Sequence, residues 1–527
     1  MSFREGIPKS WVFVPLGELL LGIETGKSFK CEERPPTNDE IGVVKVSSVS
    51  WGEYQESESK TCTDAKRIDP SLFVRRGDFL FSRANTIELV GACVIAQQVT
   101  LRVMLSDKIL RFRFARDEIK SWVLYLLRSD QGRSQIETLA SGNQNSMRNI
   151  GQTRIGQILV PLPPAAEQTR IVAKLEELLS DLEAGVAELK AAQVKLARYR
   201  QSLLKAAVDG ALTADWRARH TPAETGAQLL ARILTERRAR WEDKQRARFA
   251  AQGKTPSKNW QAKYPEPVVP DTTELPELPE GWVWASLDQC SLDETSITDG
   301  PFGSNLKSEH YQDSGPRVIR LQNIGDGTFV DARAHISNSH YQTLLKHAVD
   351  EGDVIVAMLG EVLPRACVVP AGVAPAIVKA DCARVRLNSE LLPPSLVVSQ
   401  LNSTPVRDVV AKSVKGIGRP RINLGHVRSI PIALCGKAEQ EQMDRLLNEA
   451  QERIDEQLTA IENGLKQSTA QRKNLLKAAF AGQLVPQDPA DEPASVLLER
   501  IRAERDARGA VRQGRGGRRR RVAQGGA

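Results

Sequence analysis

The sequence predicts a tandem duplication of an α/β (α+β) design: two globular domains separated by two long antiparallel coiled-coil helices. Three observations carry this. The segment RQSLLKAAVDGALT returns as RKNLLKAAFAGQLV, with Lys205 and Lys477 272 positions apart. Leucines 175, 182, 189, 196 and 203 fall every seven residues. The stretches before each such helix hold short apolar runs punctuated by turn residues, the texture of mixed sheet and helix.

The duplication extends well beyond the first match. Ala166-Glu167-Gln168 recurs as Ala438-Glu439-Gln440, and the alternation Ile158, Val160, Leu162 recurs as Ile430, Ile432, Leu434, all at the same offset of 272. Toward the start of each half the offset drifts, as loop insertions would make it: Ile7-Pro8…Trp11-Val12 maps to Leu278-Pro279…Trp282-Val283, and Gly77-Asp78 to Gly352-Asp353. Val43-Val44-Lys45-Val46 likewise maps to Val318-Ile319-Arg320-Leu321. Two long units are repeated here, in contrast to the short units of a solenoid.

Read in order, residues 1–164 form the first globular domain, with IGVVKV and DFLFS as strands and Trp51-Gly52 and Arg76-Gly77-Asp78 as turns. Residues 165–250 are helical. The seam leucines are accompanied at the second heptad position by Ile171, Leu178, Gly185, Ala192, Tyr199 and Ala206, and a helix of this length runs roughly 65 Å. An amphipathic helix, LLARILTERRARWEDKQRARF, follows. Residues 251–279 are a linker, because the six prolines from Pro256 to Pro279 exclude a helix. Residues 280–436 repeat the globular texture. Residues 437–507 repeat the helices, with Leu447, Ile454, Ile461, Ser468 and Leu475 on the seam and Leu458 and Leu465 widening it. Residues 508–527 form a Gly/Arg tail that reads as disordered.

Composition narrows the function. Seven cysteines without a C-x-x-C pair and six histidines without ligand spacing argue against zinc. The start lacks an apolar signal region and no stretch is long enough to span a bilayer, so a reducing cytoplasm is expected. The net charge of +8 suggests a polyanionic partner, yet seven arginines between Arg508 and Arg521 supply most of it. Any nucleic-acid surface on the folded body is therefore local.

Catalytic motifs are missing. LGIETGKSF ends like a P-loop, but only Ile23, Glu24 and Thr25 separate its glycines where four residues are needed, and Glu24 would repel phosphate. There is no G-x-G-x-x-G after a strand, no G-x-S-x-G, no H-E-x-x-H and no Asn/Asp-Pro-Pro-aromatic tetrapeptide.

LPEGWVWASL, TDGPFGSNLKSEHY, PRVIRLQNIGDG, LPPAAEQTRIVAKLEELL and RYRQSLLKAAVDGALTADWRA, in this order of globular and helical parts, resemble the specificity subunits of type I restriction-modification enzymes. The resemblance runs from Pro8 to about Arg508. It implies that each globular unit is a target-recognition domain reading half of a split, asymmetric site in double-stranded DNA. It implies that the helices hold two modification subunits and that restriction subunits join the complex. The chain itself would carry no cofactor, with S-adenosylmethionine, ATP and Mg bound by those partners.

Candidate readers follow from side-chain chemistry, since Asn and Gln pair bidentately with adenine and Arg with guanine in the major groove. In the first unit they are Arg83 and Asn85 after RGDFLFS, and Asn143, Gln144, Asn145, Arg148 and Asn149 before the final strand. In the second, Ala357 and Met358 stand at the places matching Arg83 and Asn85. The readers there are Lys412, Lys415, Arg419 and Arg421, with Ser304, Asn305, Lys307, Arg320, Gln322 and Asn323. Two other classes of function compete: a self-sufficient DNA methyltransferase or nuclease, and a coiled-coil adaptor without a DNA role.

Overall fold

A computed structural model describes residues 6–50, 52–144, 147–414 and 419–507 of the chain. These divide into two compact units, one of residues 1–189 with 462–527 and the other of residues 190–461. The first long helix, Ala165–Val208, gives its first part to one unit and its second part to the other, and the second long helix, Lys437–Phe480, does the same in reverse.

In the first unit, Val12–Pro15 pairs antiparallel with Leu159–Leu162. The strands Leu20–Thr25, Ile109–Phe114, Phe79–Ser82 and Cys93–Ile95 form a four-stranded antiparallel sheet in that order. Ile41–Val44 lies between Ser59–Thr61 and Arg102–Met104, parallel to the latter. Phe79, Phe81 and Phe112 stack in the core, with ring centroids 5.0–5.3 Å apart.

The second unit repeats these pairings. Val283–Ser286 pairs with Pro431–Leu434. Ile297–Asp299, Cys382–Val385, Val354–Ala357 and Arg365–Val368 form the antiparallel sheet, and Tyr311–Ile319 runs parallel to Ala376–Val378. One buried arginine recurs as well. Arg111, facing Leu80, donates to the carbonyls of Phe73 and Ser71, and Arg384, facing Ile355, donates to those of Ala348 and Thr295. Burial pulls the Arg111 pKa down, but Asp78 and Glu24 outweigh it and hold the pKa above the usual arginine value. Burial, aided by Arg386, holds Arg384 below that value.

The sequence repeats converge on one junction per unit. In the first unit the buried Glu167 accepts from the Trp11 indole N–H at 2.9 Å, and in the second the buried Glu439 accepts from Trp282 at 3.1 Å. Gly482, at the end of the second long helix, adopts φ +67° against Pro8 and Trp11, and Gly210 adopts φ +72° against Pro279 and Trp282. A Cβ there would lie 2.4 Å from Pro8 Cγ and 2.5 Å from Pro279 Cγ, so both the conformation and the contact require glycine. The Trp, Glu and Gly repeats are thus three sides of one joint.

Within each unit the helix portions run antiparallel. In the first, Glu183 pairs with Arg472 at 2.6 Å and Leu189 packs over Gly464. In the second, Leu204 shares a core with Met443 and Leu447. The seam is narrow. Leu175 is buried, whereas Leu182, Leu189, Leu196 and Leu203 are half-buried, because two helices alone leave each seam residue one open side. Tyr199, expected on the seam, is 53% exposed and stands outside it.

The amphipathic helix Gly226–Ala251 starts with a Thr225/Gln228 capping box and buries Leu229, Ile233, Arg237 and Trp241. The proline-rich stretch is fastened to it: Trp260 stacks on Trp241 at 5.7 Å, and Tyr264 meets the same ring edge-on. Its counterpart, residues 494–507, buries Leu497, Leu498 and Ile501 in the first unit.

LGIETGKSF is accounted for by packing. Gly22 to Thr25 belong to the strand Leu20–Thr25, and a Cβ on Gly26 would fall 1.8 Å from the Leu105 carbonyl oxygen. Gly300 makes the same close approach in the second unit, where a Cβ would fall 2.2 Å from the Val378 oxygen. The Gly/Arg tail and Trp51 lie outside the described residues.

Candidate nucleic-acid interface

In the first unit, the strands Ser141–Gln144 and Met147–Asn149 make a hairpin that adds Ala84–Asn85 as a third strand. This sheet gathers residues that the sequence scatters. Arg148 faces Asn85 and Asn149 faces Ala84, while Asn143 and Gln144 lie on the outer strand. Arg83 donates from Nε to Asn149 Oδ1 at 3.3 Å. Asn85 accepts from the Thr86 amide and reaches Ser50 Oγ at 3.5 Å. Arg148 is committed to the hairpin itself, donating to the carbonyls of Gly142 at 2.6 Å and Ala140 at 3.2 Å. Asn145 lies outside the described residues. Met147, at the hairpin, is 71% exposed.

Beside this sheet is a basic groove that sequence reasoning did not single out. Its cavity of about 520 Å³ is lined by Lys45, Lys60 and Lys108 with Ser28, Ser47 and Ser106. The Arg83 amide donates to the Lys108 carbonyl at 2.9 Å, which ties the groove to the sheet. Glu33 also lines the groove, paired with Lys60 at 2.5 Å and 4.0 Å from Lys45. These residues come from separate segments, and no spacing rule connects them.

The second unit builds the same station with other side chains. The Met358 amide donates to the Asp381 carbonyl at 2.8 Å, as Arg83 does to Lys108. The Ile422 amide donates to the Met358 carbonyl at 2.9 Å, as Ile150 does to Arg83. Leu359 pairs with Arg421 as Ala84 pairs with Asn149. Met358 therefore stands at the place of Arg83, where Ala357 was expected, and it is buried. The place of Asn85 falls to Gly360, one residue after the bridged Leu359, which corrects the expected match to Ala357 or Met358.

The other candidates of this unit divide by exposure. Ser304, Asn305 and Lys307 are exposed on the loop after Phe302. Gln322 is exposed beside Arg320, whose guanidinium reaches the carbonyls of Ala332 and Arg333. Asn323 is 1% exposed: its Nδ2 donates to the Val330 and Ala332 carbonyls and its Oδ1 accepts from the Arg320 amide. With both ends occupied inside the fold, Asn323 is withdrawn from the readers. Arg419 and Arg421 are exposed, Lys412 is paired with Glu274, and Lys415 lies outside the described residues. Among the described residues no cluster of His, Cys, Asp and Glu could hold a metal ion.

Two duplicated α/β heads with antiparallel helices, and one station furnished differently in each head, define a protein built like the specificity subunits of type I restriction-modification systems. The comparisons agree. The chain is similar to the type I restriction enzyme EcoBI specificity subunit of Escherichia coli, 24% identical over 524 residues, covering 97% of this chain and 95% of that protein. It is 29% identical over 205 residues to the EcoEI specificity subunit of Escherichia coli, a match that covers 38% of this chain and only 34% of that protein's length. A solved structure from work on complex assembly and conformational transition of the type I R-M system shares the fold, with a TM-score of 0.58 at 18% identity, over 90% of this chain and 99% of that one. No family model matches. In sequence the chain is thus similar to type I restriction enzyme specificity subunits, and in fold to a solved structure from a type I R-M system.

Proposed function

We propose that this chain is the DNA-specificity subunit of a type I restriction-modification complex, reading a bipartite, asymmetric DNA target with one head per half and scaffolding two modification subunits and the restriction subunits. One observation carries the reading: two heads with matching backbone pairings differ in the charge and shape of the side chains at the same exposed station. A duplicated protein that reads two different sequences needs that combination. The basic groove at Lys45, Lys60 and Lys108 supplies phosphate contacts, which position a duplex without specifying its sequence. The methyl-transfer and translocation chemistry, with S-adenosylmethionine, ATP and Mg, resides in the partners. No helix among the described residues is long and apolar enough to cross a membrane.

The test is a genome-wide map of methylated adenines in cells expressing the modification subunit with and without this chain. The expected result is an interrupted, asymmetric motif that depends on the chain, and no methyl transfer by the purified chain alone. Turnover by the chain alone would establish a self-sufficient methyltransferase. A map without sequence dependence when all subunits are present would leave only the adaptor.

A further inference from the structure

We infer that Arg421 reads a guanine in the half-site of the second unit, with Asp381 as its positioning residue and Phe302 as the wall it lies against; this rests on the DNA-reading function proposed above. Arg421 is exposed, and its Nη2 lies 2.6 Å from Asp381 Oδ1. Its guanidinium carbon lies 5.9 Å from the centroid of the Phe302 ring, within cation–π range. Among the described residues no other hydrogen-bond acceptor takes its remaining N–H groups. The carboxylate at one nitrogen and the ring on one face favour one placement of the guanidinium. What remains is a planar edge of donors, the shape that matches O6 and N7 of guanine.

The backbone around the trio is specialised for it. Asp381 sits at φ +71°, a conformation that Asn, Asp and Gly tolerate best, and its backbone carbonyl is fixed by the Met358 amide. Arg421 is fixed by the bridge to Leu359, and Phe302 follows Gly300 where the chain passes against Val378. Phe302 is 48% exposed, an aromatic ring that the core does not claim.

The first unit supplies the comparison. At the places of Phe302, Asp381 and Arg421 it has Ser28, Lys108 and Asn149. At this station the Lys108 position carries a base where the second unit has the Asp381 acid, and the first unit presents at position 149 an amide oriented by Arg83. The substitutions at this station change together, as one recognition device replaced by another.

The experiment uses the full complex. Methylation is mapped for the wild type and for Arg421→Gln and Asp381→Asn, the latter chosen because Asn keeps the positive φ. The purified complexes are then tested for binding to the wild-type duplex and to duplexes carrying 7-deazaguanine at each guanine of the affected half-site. The expected result is a motif degenerate at a single guanine for R421Q, with the other half-site unchanged. One 7-deazaguanine should weaken wild-type binding by roughly tenfold or more and leave R421Q unaffected. D381N should show a smaller loss at the same position. An unchanged motif for R421Q, a half-site with no guanine on either strand, or a weakening spread evenly over all sequences would each overturn the assignment. If the wild type yields no bipartite motif, the proposed function fails instead, so the two failures are distinguishable.

Discussion

Glu167 and Glu439 occupy the same position in the repeat, yet replacing each with glutamine should have unequal consequences. Glu439 accepts from Trp282 Nε1 at 3.1 Å through one oxygen, and from Thr213 at 2.7 Å and Arg217 at 2.5 Å through the other. In Glu439→Gln one of the two oxygens becomes an NH₂ donor. Whichever way the amide turns, it confronts either the half-buried Trp282 or the half-buried Arg217 donor and leaves the Arg217 charge without its counter-ion. An orphaned buried donor costs about 1–3 kcal/mol, and the lost charge assistance adds to it, so a destabilisation of about 2–4 kcal/mol is expected. Glu167 also accepts from a tryptophan, Trp11 at 2.9 Å, but its second oxygen meets the amide of Gln487, an exposed residue. In Glu167→Gln the amide can keep its oxygen toward Trp11 while Gln487 turns over. A buried carboxylate without a paired arginine disappears at the same time. The expected change is within about 1 kcal/mol of zero. Urea denaturation followed by tryptophan fluorescence gives the midpoints, and hydrogen exchange over residues 437–447 localises the effect. Equal losses in the two variants, or a larger loss for E167Q, would refute the argument from donor chemistry.

Two further outcomes are expected. Burial pushes the thiol pKa of Cys93 up to about 11 and those of Cys290 and Cys367 up to about 12, and raises Cys382, Cys435 and Cys31 as well, but Cys31 and Cys62 are only half-buried and so within reach of a reagent. A thiol-specific reagent at pH 8 should therefore modify two thiols rapidly in the folded chain and the remaining five only after denaturation; a third fast thiol contradicts this. A chain stopped after Asp271 loses Leu476, Ala479, Phe480, Leu497, Leu498 and Ile501 from the core of its first unit. A second copy should replace them with Leu204, Ala207, Val208, Leu229, Leu230 and Ile233, giving a homodimer that directs methylation to an interrupted palindrome. The one large loss is Phe480, whose ring lies 4.7 Å from that of Trp122, replaced by valine. Val208→Phe should tighten the fragment dimer by roughly tenfold or more in sedimentation experiments, and no tightening would count against this packing.

The repeated joints were legible in the sequence because each is made of residues whose chemistry admits few substitutes. A tryptophan needing an acceptor, a glutamate at a helix start and a glycine at positive φ stayed in place through the duplication, at offsets near 272. The candidate site was legible in part. The polar run before the last strand marked the hairpin, but side-chain type alone did not separate Arg148, engaged with two carbonyls, from Asn149, which is exposed. It did not distinguish the buried Asn323 from the exposed Gln322 beside it. Lys108 and Asp381 carried no signal, since each is brought to the station by pairing with a strand far away in the chain, Ile109 with Ser82 and Cys382 with Ala357. Tyr199 failed for a related reason: heptad position says where a residue points on its own helix, while burial depends on what stands opposite.

By itself, then, the sequence determined the duplication, the alternation of globular and helical parts, the long amphipathic seams and the absence of familiar catalytic motifs, because these follow from local periodicity and self-similarity. Tertiary structure alone decided that Arg83, Lys108 and Asn149 share a surface with the groove of Lys45 and Lys60, and that Phe302, Asp381 and Arg421 form their counterpart. The physical reason is that strand pairing is a long-range event. Which segments close on one another is fixed by how the whole core packs, and only that closure brings side chains from distant segments within hydrogen-bonding distance.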